Sequence, residues 1–326
     1  MVAGVIGAEE VRAGTRTLAL LAAPLSAAVL DRLAEGPRRL AELRRETGSP
    51  QTTLRARLRE LNDVGAVTRR RLHPLPGVRE HLLVAGAGVE LRFVAATLRG
   101  WLATAPSGPK EPDGDPARAA LKALLDAWTA GMVRAVAERP HTFEELDAGI
   151  EGISRQALER RLAAARAAGL FEEAGETKTG PAYMASEWLR RAAAPIATAA
   201  RWERKHLPHA SPPIAPTDAE AGFLLALPLL ALPTEVSGSC RLAVEFDAGG
   251  EDRLAGVTVC AEAGRVVSCV PRLERGPSAW ASGPPHAWLR VAIEADPDRL
   301  QLGGDTRLAR VLLDGLNRTL FPPRLI

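Results

Sequence analysis

The chain has 326 residues, 46% apolar and 25% charged, with a formal net charge of +3. That length leaves room for two or three domains with cores of their own, and that balance excludes a disordered or fibrous chain. The charge is uneven: residues 1–105 hold 16 Arg against 10 acids, residues 106–209 hold 15 basic and 15 acidic residues, and residues 210–326 hold 11 Arg against 14 acids. An excess of cations confined to the first third points to a polyanionic partner there.

The run TLALLAAPLSAAVL (17–30) reads as part of a buried helix over about 15–35, because Glu9 and Glu10 precede it and the charged continuation DRLAEG follows at once. A short helix is expected at 39–47. The stretch SPQTTLRARLRELNDVG (49–65) then opens on a capping Ser and a Pro, places Leu54, Leu58 and Leu61 at helical spacing, and ends on a Gly that suits a helix C-cap. Two short strands around a turn, AVTRRRL and VREHLLV with HPLPG between them, and a long helix at 86–103 complete this part. The order of helices, strand, wing, strand and helix is that of a winged helix-turn-helix.

A Pro-rich segment, APSGPKEPDGDP (105–116), leads into a second stretch that repeats the first. VRAVAERPHTFEEL (133–146) aligns with VLDRLAEGPRRLAEL (29–43), and EGISRQALERRLAAARAAGLF (151–171) aligns with TGSPQTTLRARLRELNDVGAV (47–67). Gly48, Leu54, Arg57, Leu58 and Gly65 meet Gly152, Leu158, Arg161, Leu162 and Gly169, and each stretch closes on a helix with a late Trp, Trp101 and Trp202. Expected are an apolar helix at 118–138, a short helix at 142–149, a capped helix at 154–168, strands LFEEAG and PAYMA, and a long helix at 186–206.

After a second Pro-rich segment, LPHASPPIAP (207–216), the period changes. An apolar helix at about 217–231 leads into RLAVEFDA, LAGVTVCA and RVVSCVPRL, which alternate and are rich in β-branched residues, with EAG as a tight hairpin turn. AWLRVAIE and RLARVLLDGLNRTLF read as helices. FLLALPLLALP (223–233) is too short to span a bilayer. Cys240, Cys260 and Cys269 lie in apolar runs without CxxC spacing, as expected of buried thiols in a reducing, cytoplasmic compartment. The six His are scattered, and HLPH (206–209) has no nearby Cys or acid cluster, so no metal, no cofactor and no enzymatic constellation are expected.

The whole is therefore expected to be mainly α with α+β: two tandem winged helix-turn-helix domains, at 1–105 and 106–209, followed by a small α+β sheet domain at 210–326. DNA's major groove admits a helix whose early residues reach base edges, while a wing follows the backbone or the minor groove. On that logic the candidate DNA-binding residues are Gln51, Thr52, Thr53, Arg55 and Arg57 on the helix, with Arg69, Arg70, Arg71, His73 and Arg79 on the wing. Arg57 lies to a different side, fit for a phosphate or for packing within the domain. Arg44 and Arg45 extend the positive surface. In the second stretch Arg155, Gln156, Arg160 and Arg161 stand beside Glu159, and Glu172, Glu173 and Glu176 make its strand acidic. It is either a weaker reader of the same duplex or a docking platform.

LAEGPRRLAELRRETGSPQTTLRARLRELNDVGAVTRR (33–70), HPLPGVREHLLVAGAGVEL (73–91) and LRGW (98–101) resemble the HxlR family of winged-helix transcription regulators. His81 stands where the family usually has a wing-strand Tyr, which Tyr183 supplies in the second stretch; Val84 replaces a helix-capping Thr, where Ser186 keeps a hydroxyl. The resemblance implies dimerisation through first and last helices, met here by a homodimer or by a monomer with an internal pseudo-twofold. WLRVAIEADPDRLQLGGDTRLARVLLDGL (288–316) is similar to the ending of sterol-carrier-protein-like domains. That resemblance implies an apolar small-molecule ligand between sheet and helices, among Phe223, Leu227, Phe246, Val259, Trp280, Trp288, Leu300 and Leu302. The expected function is a transcription regulator that binds double-stranded DNA under control of that ligand. The alternative is a carrier or sequestering protein whose winged helices mediate protein contacts.

Overall fold

The computed structural model describes residues 12–71, 79–247 and 252–321. His73 lies outside them. By its contacts the chain forms two compact units: Ala13–Leu121 with Thr198–Ser211, and Lys122–Ala197 with the described residues from Pro212 onward.

The helix expected over 15–35 is two helices, α1 (Thr15–Ala22) and α2 (Ser26–Ala34), bent by 85°. Pro24 has no N–H to donate and drives the preceding residue out of helical geometry: Ala23 sits at φ −70°, ψ 139°. There follow β1 (Arg38–Arg39), α3 (Leu40–Thr47), α4 (Gln51–Asp63), β2 (Val67–Arg71), β3 (Arg79–Leu83) and α5 (Ala87–Ala103). The strands form an antiparallel sheet in the order β1-β3-β2. Its two-residue strand β1 has no sequence signature and exists only by pairing with β3. Leu30, Leu43, Leu54, Leu61, Leu91 and Leu98 are at most 1% exposed and form the core of this part; burying each contributes about 1.5–3 kcal/mol.

The second stretch runs α6 (Asp115–Leu124), α7 (Thr129–Ala135), β4 (His141–Thr142), α8 (Phe143–Gly149), α9 (Arg155–Ala167), β5 (Phe171–Thr177), β6 (Gly180–Ala185), α10 (Glu187–Arg191) and α11 (Ala193–His206). Its sheet has the order β4-β6-β5. The helix expected at 186–206 is interrupted at Ala192, and the one expected at 118–138 is interrupted between Leu124 and Thr129. The end of α11 belongs to the first unit. There the Trp202 indole donates to the Ala87 carbonyl at 2.8 Å, and the buried Glu203 carboxylate accepts from the Gly14 and Thr17 N–H groups at 2.7 Å each, holding the start of α1.

In the last third α12 (Pro216–Ala226) runs into a 3-10 turn at Leu227–Leu229. Then come β7 (Gly238–Asp247), β8 (Asp252–Glu262), β9 (Arg265–Val270), β10 (Ala279–Gly283), α13 (Pro285–Glu294), β11 (Gln301–Gly304) and α14 (Thr306–Leu320). The five-stranded sheet has the order β11-β10-β7-β8-β9, antiparallel except for the parallel pair β10–β7. The hairpin expected at EAG turns through Ala263 (φ 47°) and Gly264 (φ 79°), the left-handed pair that a two-residue hairpin requires. In register, Leu242 of β7 lies between Val257 of β8 and Ala281 of β10, all at most 1% exposed, and α12, α13 and α14 cover that face. α12 also packs on α7 and α10 of the same unit.

Candidate nucleic-acid interface

α4 forms because Leu54, Leu58 and Leu61 repeat at helical spacing and are at most 4% exposed. It stops at Gly65, φ 72°, where the N–H groups of Gly65 and Ala66 donate to the carbonyls of Asn62 and Leu61 at 2.9 Å, a Schellman closure. Its start differs from the expectation. Ser49 does not cap the helix; its hydroxyl donates to the Thr47 carbonyl at 3.1 Å, and Pro50 occupies the N-cap with no side chain to offer. The N–H groups of the first turn therefore have no side-chain acceptor among the described residues, and they lie beside the exposed Gln51 and Thr52 and the half-buried Thr53. α3 and α4 are joined by the turn Gly48–Pro50, with Gly48 left-handed at φ 64°.

The sequence-derived candidates separate into two groups. Arg55 on α4, Arg69 and Arg71 on β2 and Arg79 on β3 are exposed, and none has a carboxylate partner among the described residues. Arg71 and Arg79 stand directly opposite each other across the β2–β3 ladder, a like-charge pair that weakens the sheet. The other two are tied down. Arg70 donates from Nε to Glu80 Oε1 at 2.8 Å, and Arg57 is 15% exposed and bound to Glu60. Arg57 thus packs within the domain, the second of the two roles its position allowed.

The structure adds residues that sequence reasoning left out. A cavity of about 380 Å³ opens between α4 and the wing, where Arg55, Arg59, Arg69, Arg79 and His81 meet. Arg59 lies one helical turn from Arg55, so the i, i+4 spacing was signal enough to find it. His81 pairs with Arg69 across the ladder and is 8% exposed, and its Nδ1 has no hydrogen-bond partner among the described residues. Burial pushes its pKa below the ordinary histidine value, a hydrogen bond to the Arg38 backbone works against this, and the Arg69 charge adds to the lowering.

The same elements in the second stretch carry different chemistry. α9 ends in the same Schellman closure, with Gly169 and Leu170 donating to Arg166 and Ala165, but its start is capped: Ser154 Oγ accepts from the Ala157 N–H at 3.3 Å. Arg155 is bound by Glu144 and Asp147 at 2.6 and 2.9 Å, and Arg161 by Asp126 at 3.1 Å. Arg166 is paired with Glu173 and lies 4.7 Å over the Tyr183 ring.

Of the residues expected around an apolar ligand, Phe223 and Trp288 touch edge to face at 4.8 Å, and the Trp288 indole donates to the Ala243 carbonyl at 2.9 Å. Leu227 and Val259 are at most 1% exposed, Leu300 is 9% exposed, and Phe246 and Leu302 are half-buried. Phe246, Val259 and Leu302 share the helix-covered face of the sheet. Trp280 does not: in β10 it faces the other way and lies across Gly303, where a Cβ would meet its ring at 2.3 Å. Cys240 and Cys269 are buried free thiols, each pushed up to about 12 by burial.

No curated protein and no solved structure matches the chain. Residues 23–107, from the end of α1 to just beyond α5, match the HxlR-like helix-turn-helix family, so this part of the chain carries a helix-turn-helix of the kind found in DNA-binding transcription regulators.

Proposed function

We propose that this chain is a transcription regulator that binds double-stranded DNA through α4 and its wing, and that residues 217–321 hold an apolar small molecule that controls the binding. The observation that carries the DNA half is a set of arginines, Arg55, Arg69, Arg71 and Arg79, projecting from three elements with no carboxylate partner among the described residues. A folded chain gains nothing internally from such a set, and a phosphate backbone neutralises it. Gln51, Thr52, Thr53 and Arg55 then reach base edges, while Arg69, Arg71 and Arg79 follow the backbone.

The second stretch, with the same sheet order and helix pair, is a further winged helix with most of its arginines neutralised, and it reads DNA weakly or serves as a platform. Monomer with pseudo-twofold or homodimer are both compatible with this arrangement. For the last third, support comes from the sterol-carrier-like ending and from bulky apolar residues clustered between sheet and helices. A ligand there acts on DNA binding by favouring one of two arrangements of the chain.

The test is a binding isotherm on a promoter fragment over a series of salt concentrations. The DNA reading predicts a steep log–log salt slope that Arg55→Ala with Arg69→Ala makes shallower. An unchanged affinity and slope would sink it, and binding of an apolar probe without any DNA footprint would favour the carrier alternative.

A further inference from the structure

The cavity between α4 and the wing has more structure than a groove that merely follows a DNA strand. Its volume of about 380 Å³ falls at the small end of the range of small-molecule sites. Among the described residues, arginines from three elements line it: Arg55 and Arg59 from α4, Arg69 from β2 and Arg79 from β3. Among the described residues of its wall Asp63 is the one acid, which leaves three positive charges in excess there. The imidazole of His81, more than nine-tenths buried and with no partner for Nδ1 among the described residues, also lines it. Leu40 and Leu58 contribute an apolar wall.

We infer that this cavity binds a small phosphate monoester, of about the size of a nucleotide, and that the bound ligand takes the place of a DNA backbone phosphate and excludes the duplex. The charge excess selects against a monoanion, since a phosphate monoester carries about two negative charges at neutral pH and a phosphodiester one. A terminal phosphate also offers three oxygens to the lining guanidiniums, whereas a phosphodiester offers two and is flanked by sugar on both sides. Leu40 and Leu58 face the non-phosphate part of the ligand. The corresponding positions of the second stretch have lost the site: Glu159, Ala163, Glu173, Pro181 and Tyr183 stand in place of Arg55, Arg59, Arg69, Arg79 and His81. A ligand of this class therefore acts on the first helix-turn-helix alone. Binding of the ligand stands by itself; only the exclusion of DNA rests on the function proposed above.

The experiment is calorimetric titration of the full chain with adenosine 5′-monophosphate, with 3′,5′-cyclic AMP and adenosine as controls that differ only at the phosphate, all at fixed ionic strength. Expected are one saturable site per chain for the monoester, at least tenfold weaker binding of the cyclic diester and none of adenosine. Arg59→Ala with Arg79→Ala is expected to weaken the monoester at least tenfold. His81→Tyr, which installs the residue already accommodated at position 183, is expected to weaken it several-fold while leaving the thermal unfolding profile in place. In a parallel assay the monoester displaces bound promoter DNA, and the diester and matched KCl do not. Equal binding of monoester and diester, or monoester binding insensitive to both variants, overturns the inference even if DNA is bound. Saturable monoester binding by a chain that binds no DNA upholds the site and removes the DNA reading instead.

Discussion

The two helix-turn-helix-like stretches have the same skeleton and opposite surface chemistry. Both place three apolar positions of the second helix in the core, close it with a left-handed glycine, and add a two-residue strand to the hairpin sheet. On that shared frame the first stretch leaves arginines without partners, whereas the second gives Arg155, Arg161 and Arg166 carboxylates of their own. Burial maintains the frame, and the placement of a few acids decides whether the exposed face has charge left for a partner.

The largest effects should be equal on the two sides. Leu54→Ala and Leu158→Ala remove side chains that are both 0% exposed, and each is expected to cost about 2–5 kcal/mol in a denaturant titration. A large loss at one position and none at the other would break the claim of a common core.

The next effect should be wholly one-sided. Arg55→Glu with Arg69→Glu gives the first stretch the residues found at 159 and 173, and should reduce promoter affinity at least about 100-fold near 0.15 M salt and flatten the log–log salt slope by about two. The mirror change, Glu159→Arg with Glu173→Arg, tests whether charge is all that the second stretch lacks; a slope that steepens by a similar amount sharpens the comparison. If the first swap leaves the slope alone, the division of roles is wrong.

Smaller differences lie at the helix starts. Ser154→Ala should destabilise by about 1 kcal/mol through loss of its cap, and Ser49→Ala by a few tenths at most, because that hydroxyl caps no helix. Thermal melts of the two variants, run side by side, check this. Arg57→Ala and Arg161→Ala, both held in ion pairs within their own stretch, should cost no more than about 1 kcal/mol and leave the salt slope of DNA binding as it was.

The smallest effect is one of pH. Glu42 and Glu145 occupy matching capping positions and accept from the Arg39 and Thr142 N–H groups. Bonds from the Arg39 side chain and then its backbone lower the first pKa, and bonds from Arg139 and then the Thr142 backbone lower the second to about 2. A depressed carboxyl stabilises the fold above its ordinary range and loses that contribution as pH falls through the folded value. The Glu145 side-chain resonance should therefore titrate near pH 2 rather than near 4.5, well after most other carboxyls. A midpoint near the ordinary value would show that the Arg139 contact does not persist in solution.

Much of this was legible beforehand where a pattern is local. The leucine spacing and closing glycines marked α4 and α9, and the alternation of RLAVEFDA and LAGVTVCA marked β7 and β8. What escaped depends on partners distant in sequence. β1 and β4 are strands only because β3 and β6 lie beside them, and β10 reads AWASG, one Trp among small residues, too weak a strand signal alone for a segment that fits between β7 and β11. At the candidate site, the arginine content of α4 was visible from the start. Which arginines are spent on Glu60 and Glu80, and that His81 joins the others, depends on pairing across the wing.

Glu203 has a consequence for how the chain is made. Its carboxylate holds the first N–H groups of α1, yet it is 189 residues downstream of Gly14. On a ribosome the helix-turn-helix and its wing emerge long before the group that secures their first helix, so the first unit is completed only after Lys122–Ala197 of the other unit have been synthesised. A fragment ending near residue 105 should accordingly reach a looser state than the same residues within the whole chain, with the amides at the start of α1 exchanging with solvent fastest relative to those of the whole chain.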